Sequence, residues 1–305
     1  MKAIWVIIEL NKIMRLSCVC GLTRSFTGRG LSTRLVRSFA TNSNAAADEA
    51  APPPFYGAPR PETPPLSIYN PADRWKLLFQ HAVTALRDPT RADAVAAVGE
   101  LTGTVSLRRL QSVLRADAAG RRILADRPLV RKEYIPYERL LEEAKKVQED
   151  KSNEITFGQA YGLFLLQHGY DPDERDDIRW MPRDTPDQDE LAYILLRYRQ
   201  SHDFWHALTG LPPTVLGELA LKWLELVNTG LPLPAFSATI GSLITLSPSE
   251  QMIVAQQYLP WALRVGRQMP FGSLLAVYYE EEWDTPLEAL RARLKIEPAP
   301  TIAQT

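Results

Sequence analysis

The residues best equipped for chemistry occupy five consecutive positions, His202-Asp203-Phe204-Trp205-His206, and three of the five side chains can bind a metal. Histidines four apart on a helix lie one turn above each other, the spacing at which two imidazoles reach one cation. Asp203 falls roughly 60° around such a helix from His206, near enough to be a third ligand or a partner of one. The flanks support a helix. Counting from Leu191 at about 100° per residue, Ile194, Leu195, Tyr198 and Trp205 fall within roughly 60° of it. His202 and His206 lie on or beside this apolar stripe, whereas Arg197 and Gln200 point away. Both imidazoles are therefore expected to face protein rather than water.

The elements that must position them come next. Gly210 is suited to end the helix, and Pro212-Pro213 cannot continue it. Thr214 can cap a second helix through Leu216, Leu219, Trp223 and Leu226. A break this short favours an antiparallel hairpin. Glu218 is about one turn into the second helix and His206 about one turn from the end of the first, so folding back brings them together. Two imidazoles and two carboxylates suit zinc or a non-haem iron. Other readings of these residues stay open. Buried histidines also serve as hydrogen-bonded core residues, and Glu218 with Lys222 has the spacing of an ion pair. His168 could be the upstream ligand of an HD-type phosphohydrolase. The H-E-x-x-H protease helix is excluded, because Asp203 is a methylene shorter than the general base it requires.

A longer pattern is more specific. His202-Asp203-x-x-His206-x-x-x-Gly210 followed by Glu218 resembles the signature of the coenzyme Q biosynthesis protein 4 family. Similar wording surrounds it: Asp189-Glu190-Leu191-Ala192-Tyr193, Arg197-Tyr198-Arg199, Gly217-Glu218-Leu219-Ala220-Leu221-Lys222-Trp223, Gly230-Leu231-Pro232, Leu259-Pro260-Trp261-Ala262 and Tyr279-Glu280. The likeness runs from about Tyr69 to Ile296. It implies His202, Asp203, His206 and Glu218 as the metal set, with zinc the first candidate and iron the second. It further implies decarboxylation at C1 of a 4-hydroxy-3-methoxy-5-polyprenylbenzoate, on the matrix face of the mitochondrial inner membrane. The implied partners are other coenzyme Q biosynthesis proteins, prenylated quinone precursors and the inner-membrane lipid surface. A homodimer stays open. Asp203 is the residue expected to move the ring proton, as a catalytic group. The alternative is a lipid-binding scaffold that organises the biosynthetic complex without catalysis.

The rest of the chain frames this region. Its 305 residues carry a net charge of −1, which gives no reason to expect nucleic-acid binding. Both cysteines, Cys18 and Cys20, precede the expected domain, so a metal there must use nitrogen and oxygen ligands. From Met14 to Ala47 there are five arginines and no acid until Asp48, the composition of a mitochondrial transit peptide. Residues 1–13 are apolar and contain Glu9, so translation from Met14 is an alternative. We divide the chain into a transit peptide (1–39), a Pro/Ala-rich linker (40–66), a helical domain (67–298) and a tail (299–305).

The expected fold is all-α, one mainly helical domain with the metal site on a helix–turn–helix hairpin and an apolar lipid-binding groove. Trp75, Leu78, Phe79, Ala82 and Leu86 form one face of a first helix, and further helices are predicted at Ala92 to Leu101, Leu107 to Leu114, Leu140 to Gln148 and Phe157 to His168. Asp171 to Asp189 reads as a solvated acidic loop, without the spacing of an EF-hand. Leu226 to Ser249 has no charged residue but is too broken by Gly and Pro to span a membrane. Its two readings, with the following Glu250 to Tyr279, are buried core and a lipid groove anchored by Tyr258, Trp261 and Trp283. A helix broken at Pro260 and a closing helix over Pro286 to Lys295 complete the prediction.

Overall fold

The helices that carry the site begin on threonine and end on glycine. In the computed structural model the described residues are 70–87, 91–150, 154–175, 177–232 and 246–301. The transit peptide and linker lie outside them, as do residues 233–245 of the uncharged stretch and the end of the tail. The described residues form α1 (Pro71–Arg87), α2 (Ala92–Thr102), α3 (Thr104–Ala116), α4 (Ala118–Asp126), α5 (Tyr137–Asp150) and α6 (Phe157–His168). There follow α7 (Pro186–Thr209), α8 (Val215–Thr229), α9 (Pro248–Ile253), α10 (Leu259–Gln268) and α11 (Leu287–Leu294). No strand occurs among the described residues, only an isolated bridge between Thr156 and Pro286. The fold is all-helical, as expected.

Helix α7 is the axis of the domain. Thr185 and Gln188 form a capping box at its start, Pro186 occupies its first turn, and Gly210 ends it in the left-handed conformation at φ 73°. It lies against α3 and α6. Phe204 and Trp205 join Phe157, Tyr161, Tyr279 and Trp283 in an aromatic core, with Phe157 stacked on Trp283 at 5.6 Å and 10°. The Trp205 indole N–H donates to the Tyr279 hydroxyl at 3.1 Å, so its polar edge is satisfied inside that core.

Arg197 and Gln200 do not face water. Both are buried, because α7 from Leu191 onward is enclosed rather than lying at the surface. Each has a partner that offsets the burial: Arg197 Nη2 donates to Glu280 Oε2 at 2.9 Å and to the Val277 carbonyl at 3.1 Å, and Gln200 Oε1 accepts from Val130 N. Four further expectations are revised. Trp75 and Phe79 are 70% and 71% exposed, so the first helix turns its aromatic face outward, packing against α2 through another side. The helix at Pro260 does not break: a π turn over Val254–Tyr258 carries the ladder into α10, where Pro260 needs no N–H partner. The acidic loop is pinned rather than solvated, with Asp171 paired to Lys132, Asp177 to Arg131, Asp187 to Arg108 and Asp189 to Arg127. Tyr258, Trp261 and Trp283 are core residues and not exposed anchors. No helix among the described residues is long and apolar enough to cross a membrane.

Candidate metal centre

The turn between α7 and α8 is tight at one glycine. A Cβ on Gly217 would lie 2.1 Å from the Pro212 carbonyl oxygen, so only glycine lets the first turn of α8 start against the diproline. Thr214 caps that turn, accepting from Gly217 N at 3.2 Å, and the next residue is Glu218. The hairpin meets through long side chains more than through close backbone approach. His202, His206 and Glu218 span the gap, each offering a ligand atom within 4.8 Å of the others.

The fine geometry fixes which atoms face inward. His206 Nδ1 lies 2.9 Å from the Leu211 carbonyl, which can only accept, so Nδ1 carries the proton and Nε2 keeps its lone pair. His202 Nδ1 lies 2.8 Å from Glu225 Oε1, and the same reasoning leaves its Nε2 free to ligate. Lys222 Nζ donates to both Glu225 oxygens, at 2.9 and 3.0 Å, and lies 3.2 Å from that Nδ1. The two Nε2 atoms are 3.2 Å apart, and each is 3.1 Å from a different oxygen of Glu218.

Lone pairs from four atoms thus converge where no donor stands, an arrangement that needs a cation or an added proton. Tetrahedral bonds of about 2.0–2.1 Å place neighbouring ligand atoms about 3.3 Å apart. The observed spacings match, and the donor set fits a divalent metal held by His202, His206 and Glu218. In the metal-free protein a proton takes that role. Burial and the Lys222 ammonium press the His202 pKa down, but the Glu225 and Glu218 carboxylates outweigh them and raise it. Burial alone would raise Glu218; its hydrogen bonds to His202 and His206 instead hold it far below the usual carboxylate range. Glu225, also opposed by burial, is drawn down to about 2 by Lys222, His202 and Tyr198.

The centre is open on one side. The side chains of His206 and His202 are 0% and 7% exposed, whereas Glu218 is 34% exposed. Phe164 stacks on His206 at 5.2 Å and 15° and forms an aromatic wall beside the ligands. Asp203 is not in the converging group; its carboxylate is ion-paired to Arg175, which follows the short turn Pro172–Glu174. Lys222 pairs with Glu225 and not with Glu218. His168 is exposed, in ring contact with Phe164 and Tyr170, and lies outside the group. Sequence reasoning missed Glu225, Tyr198, whose hydroxyl donates to it, and Arg175. One signal for Glu225 was present: it sits two turns beyond Glu218, on the same face of α8.

Residues 66–300 match the family model described as coenzyme Q (ubiquinone) biosynthesis protein Coq4. The chain belongs to that family. It is similar to the mitochondrial ubiquinone biosynthesis protein of Penicillium rubens, at 35% identity over 88% of this chain and 89% of the relative. Bos taurus has a mitochondrial homologue that is 39% identical over 71% of this chain and 75% of its own length. A solved protein from Nostoc punctiforme shares the fold, with a TM-score of 0.51 and 19% identity over 74% of this chain and 97% of that one. The family assigns the chain to ubiquinone biosynthesis.

Proposed function

We propose that this protein is a metal-dependent carboxy-lyase that removes the C1 carboxylate of 4-hydroxy-3-methoxy-5-polyprenylbenzoate during ubiquinone synthesis. The observation that carries this reading is the three-residue donor set with one accessible side. Structural zinc sites use four protein ligands, whereas catalytic ones keep three and leave a position for water or substrate. Two imidazoles and a carboxylate suit zinc first and a non-haem iron second. The bound ion would supply Lewis-acid stabilisation of a substrate oxygen.

The chain's own residues do the rest. His202 and His206, their Nδ1 protons held by Glu225 and Leu211, keep Nε2 aimed at the ion. A phenol para to the carboxylate takes up charge once C1 is protonated. The C1–carboxylate bond then breaks, its electron pair restores the aromatic ring, and CO2 departs. Asp203, beside the centre and 4% exposed, is the group assigned to carry that proton. If oxygen is instead placed at C1, the ion must be redox active, and iron replaces zinc as the choice. Residues 1–39 are assigned as the transit peptide, delivering the domain to the matrix face of the inner membrane, where other coenzyme Q biosynthesis proteins are its partners. The apolar stretch that includes 233–245 is assigned to the prenyl tail.

One observation favours the scaffold reading as a second. Trp75 and Phe79 are one turn apart on an outward face of α1, as an organiser of lipid or partners would require. Asp203→Asn separates the two. The lyase variant should stay folded and metal-loaded but lose turnover of the prenylated hydroxybenzoate. Unchanged turnover would remove Asp203 from the mechanism, and turnover absent even from wild type within its complex would favour the scaffold.

A further inference from the structure

Beside the metal centre lies a second polar cluster that the ligands do not explain. Arg175 leaves the turn after α6 and reaches Asp203 on α7, using one Nη2–H toward one carboxylate oxygen. Its remaining guanidinium donors meet no other described side chain, and the side chain is 32% exposed. A guanidinium ordinarily grips a carboxylate through two parallel bonds, so this fork is half used. The Tyr161 hydroxyl is buried with no hydrogen-bond partner. Such an orphan costs stability unless something absent satisfies it. Burial and the Asp203 charge, opposed by Arg175, keep that hydroxyl protonated and able to donate. Asp203 directly follows the ligand His202 on α7, so the cluster adjoins the metal centre, and half-buried Tyr170 feels both Glu218 and Asp203. It stacks on Phe164 at 5.4 Å and 2°, and Phe164 stacks on His206, which gives that region an aromatic wall.

Free donors on a cation, a buried hydroxyl without an acceptor and a flat apolar wall together describe a receptor for an aryl carboxylate. We propose that Arg175 receives the carboxylate of the aromatic acid, with the Tyr161 hydroxyl as second donor, and that this exchange frees Asp203 from its ion pair. The proposal rests on the lyase reading and deepens it by assigning which end of the substrate faces the cluster. The phenol end then lies away from Arg175. Discrimination follows from charge: a prenylphenol lacking the carboxylate leaves Arg175 on Asp203 and gains nothing from it. Tyr161 is the cleaner of the two residues to change, because removing an unpaired hydroxyl breaks no internal hydrogen bond.

The test is calorimetric binding to the full chain, with metal content read on the same samples. The probes are 4-hydroxybenzoate bearing one short prenyl group ortho to the hydroxyl and the corresponding 2-prenylphenol. Wild type should bind the acid at least about tenfold more tightly than the phenol, and Arg175→Gln should lose about 10- to 100-fold for the acid alone, the range of a charge-assisted pair. Tyr161→Phe should lose about 3- to 10-fold for the acid while the phenol is unaffected. A preference for the acid that survives in both variants overturns the assignment. Equal loss of both probes, or loss of metal from Arg175→Gln, also overturns it by making Arg175 a support of the centre. Wild type binding both probes equally removes the carboxylate receptor but leaves prenyl-phenol binding standing. Wild type binding neither overturns the substrate reading itself, and Arg175 falls with it.

Discussion

Glu225→Gln should weaken metal binding without touching a ligand. Glu225 is fully buried, holds His202 Nδ1 at 2.8 Å, and is shared with Lys222 and the Tyr198 hydroxyl. Its pKa is drawn from 4.5 to about 2, which at about 1.4 kcal/mol for each tenfold is on the order of 3 kcal/mol of favourable interaction. His202 takes part of that interaction, and removing the partner of a metal-bound histidine costs roughly 10- to 100-fold in metal affinity. Zinc affinity measured by chelator competition at neutral pH should therefore fall about tenfold. Glu218→Gln, which removes a ligand, should cost clearly more. Circular dichroism on both variants establishes that the fold is intact. Affinity unchanged in a folded Glu225→Gln protein, or a loss equal to that of Glu218→Gln, would refute the division of roles between the two glutamates.

Metal affinity should also fall with pH. His202 has a raised pKa in the metal-free protein, so uptake must displace its proton, and competition titrations at several pH values should show up to about tenfold weaker binding per unit below that pKa. Without metal, the stability from His202 is complete below its unfolded value of about 6.5 and is lost as pH rises through the raised folded one. Glu225 acts oppositely: its contribution is present above 4.5 and is lost as pH falls toward about 2, which thermal melts of the metal-free protein in acid should show. Gly217→Ala should lower both melting temperature and metal affinity, since the Pro212 carbonyl must move to admit a methyl group; a wild-type melt with wild-type affinity would count against the tight turn. Arg197→Ala strands the Glu280 carboxylate beside the core and should destabilise by about 3–5 kcal/mol in denaturant unfolding.

The helical period made the hairpin legible, because capping and breaking residues stand at its turn: Gly210 and Thr214 act as their types suggest, on either side of Pro212-Pro213. The converging ligands followed from two short spacings within one hairpin. What could not be read were contacts between distant segments. Arg175 and Asp203 are joined by tertiary folding alone, as are Arg197 and Glu280, and a charged residue on a helix gives no sign of whether water or a partner will meet it. The same ambiguity misplaced Trp75 and Phe79, since periodicity defines an apolar face without saying what covers it.

The hairpin also explains why the centre sits at a turn rather than along the helices. His206 is in the last turn of α7, where unpaired carbonyls concentrate negative charge, and Glu218 is in the first turn of α8, where free N–H groups concentrate positive charge. The first end favours a cation beside the imidazoles. The second favours an ionised carboxylate. The short turn brings the two ends together, and the Leu211 carbonyl within it holds His206 in the ligating tautomer. Lengthening that turn would therefore remove the tautomer lock, the placement of Glu218 and both helix-end fields at once. Because α7 is buried from Leu191 onward and anchored by Arg197 and Trp205, the histidines cannot follow a displaced α8. A rigid α7 fixes two ligands, and the glycine-permitted turn sets the third.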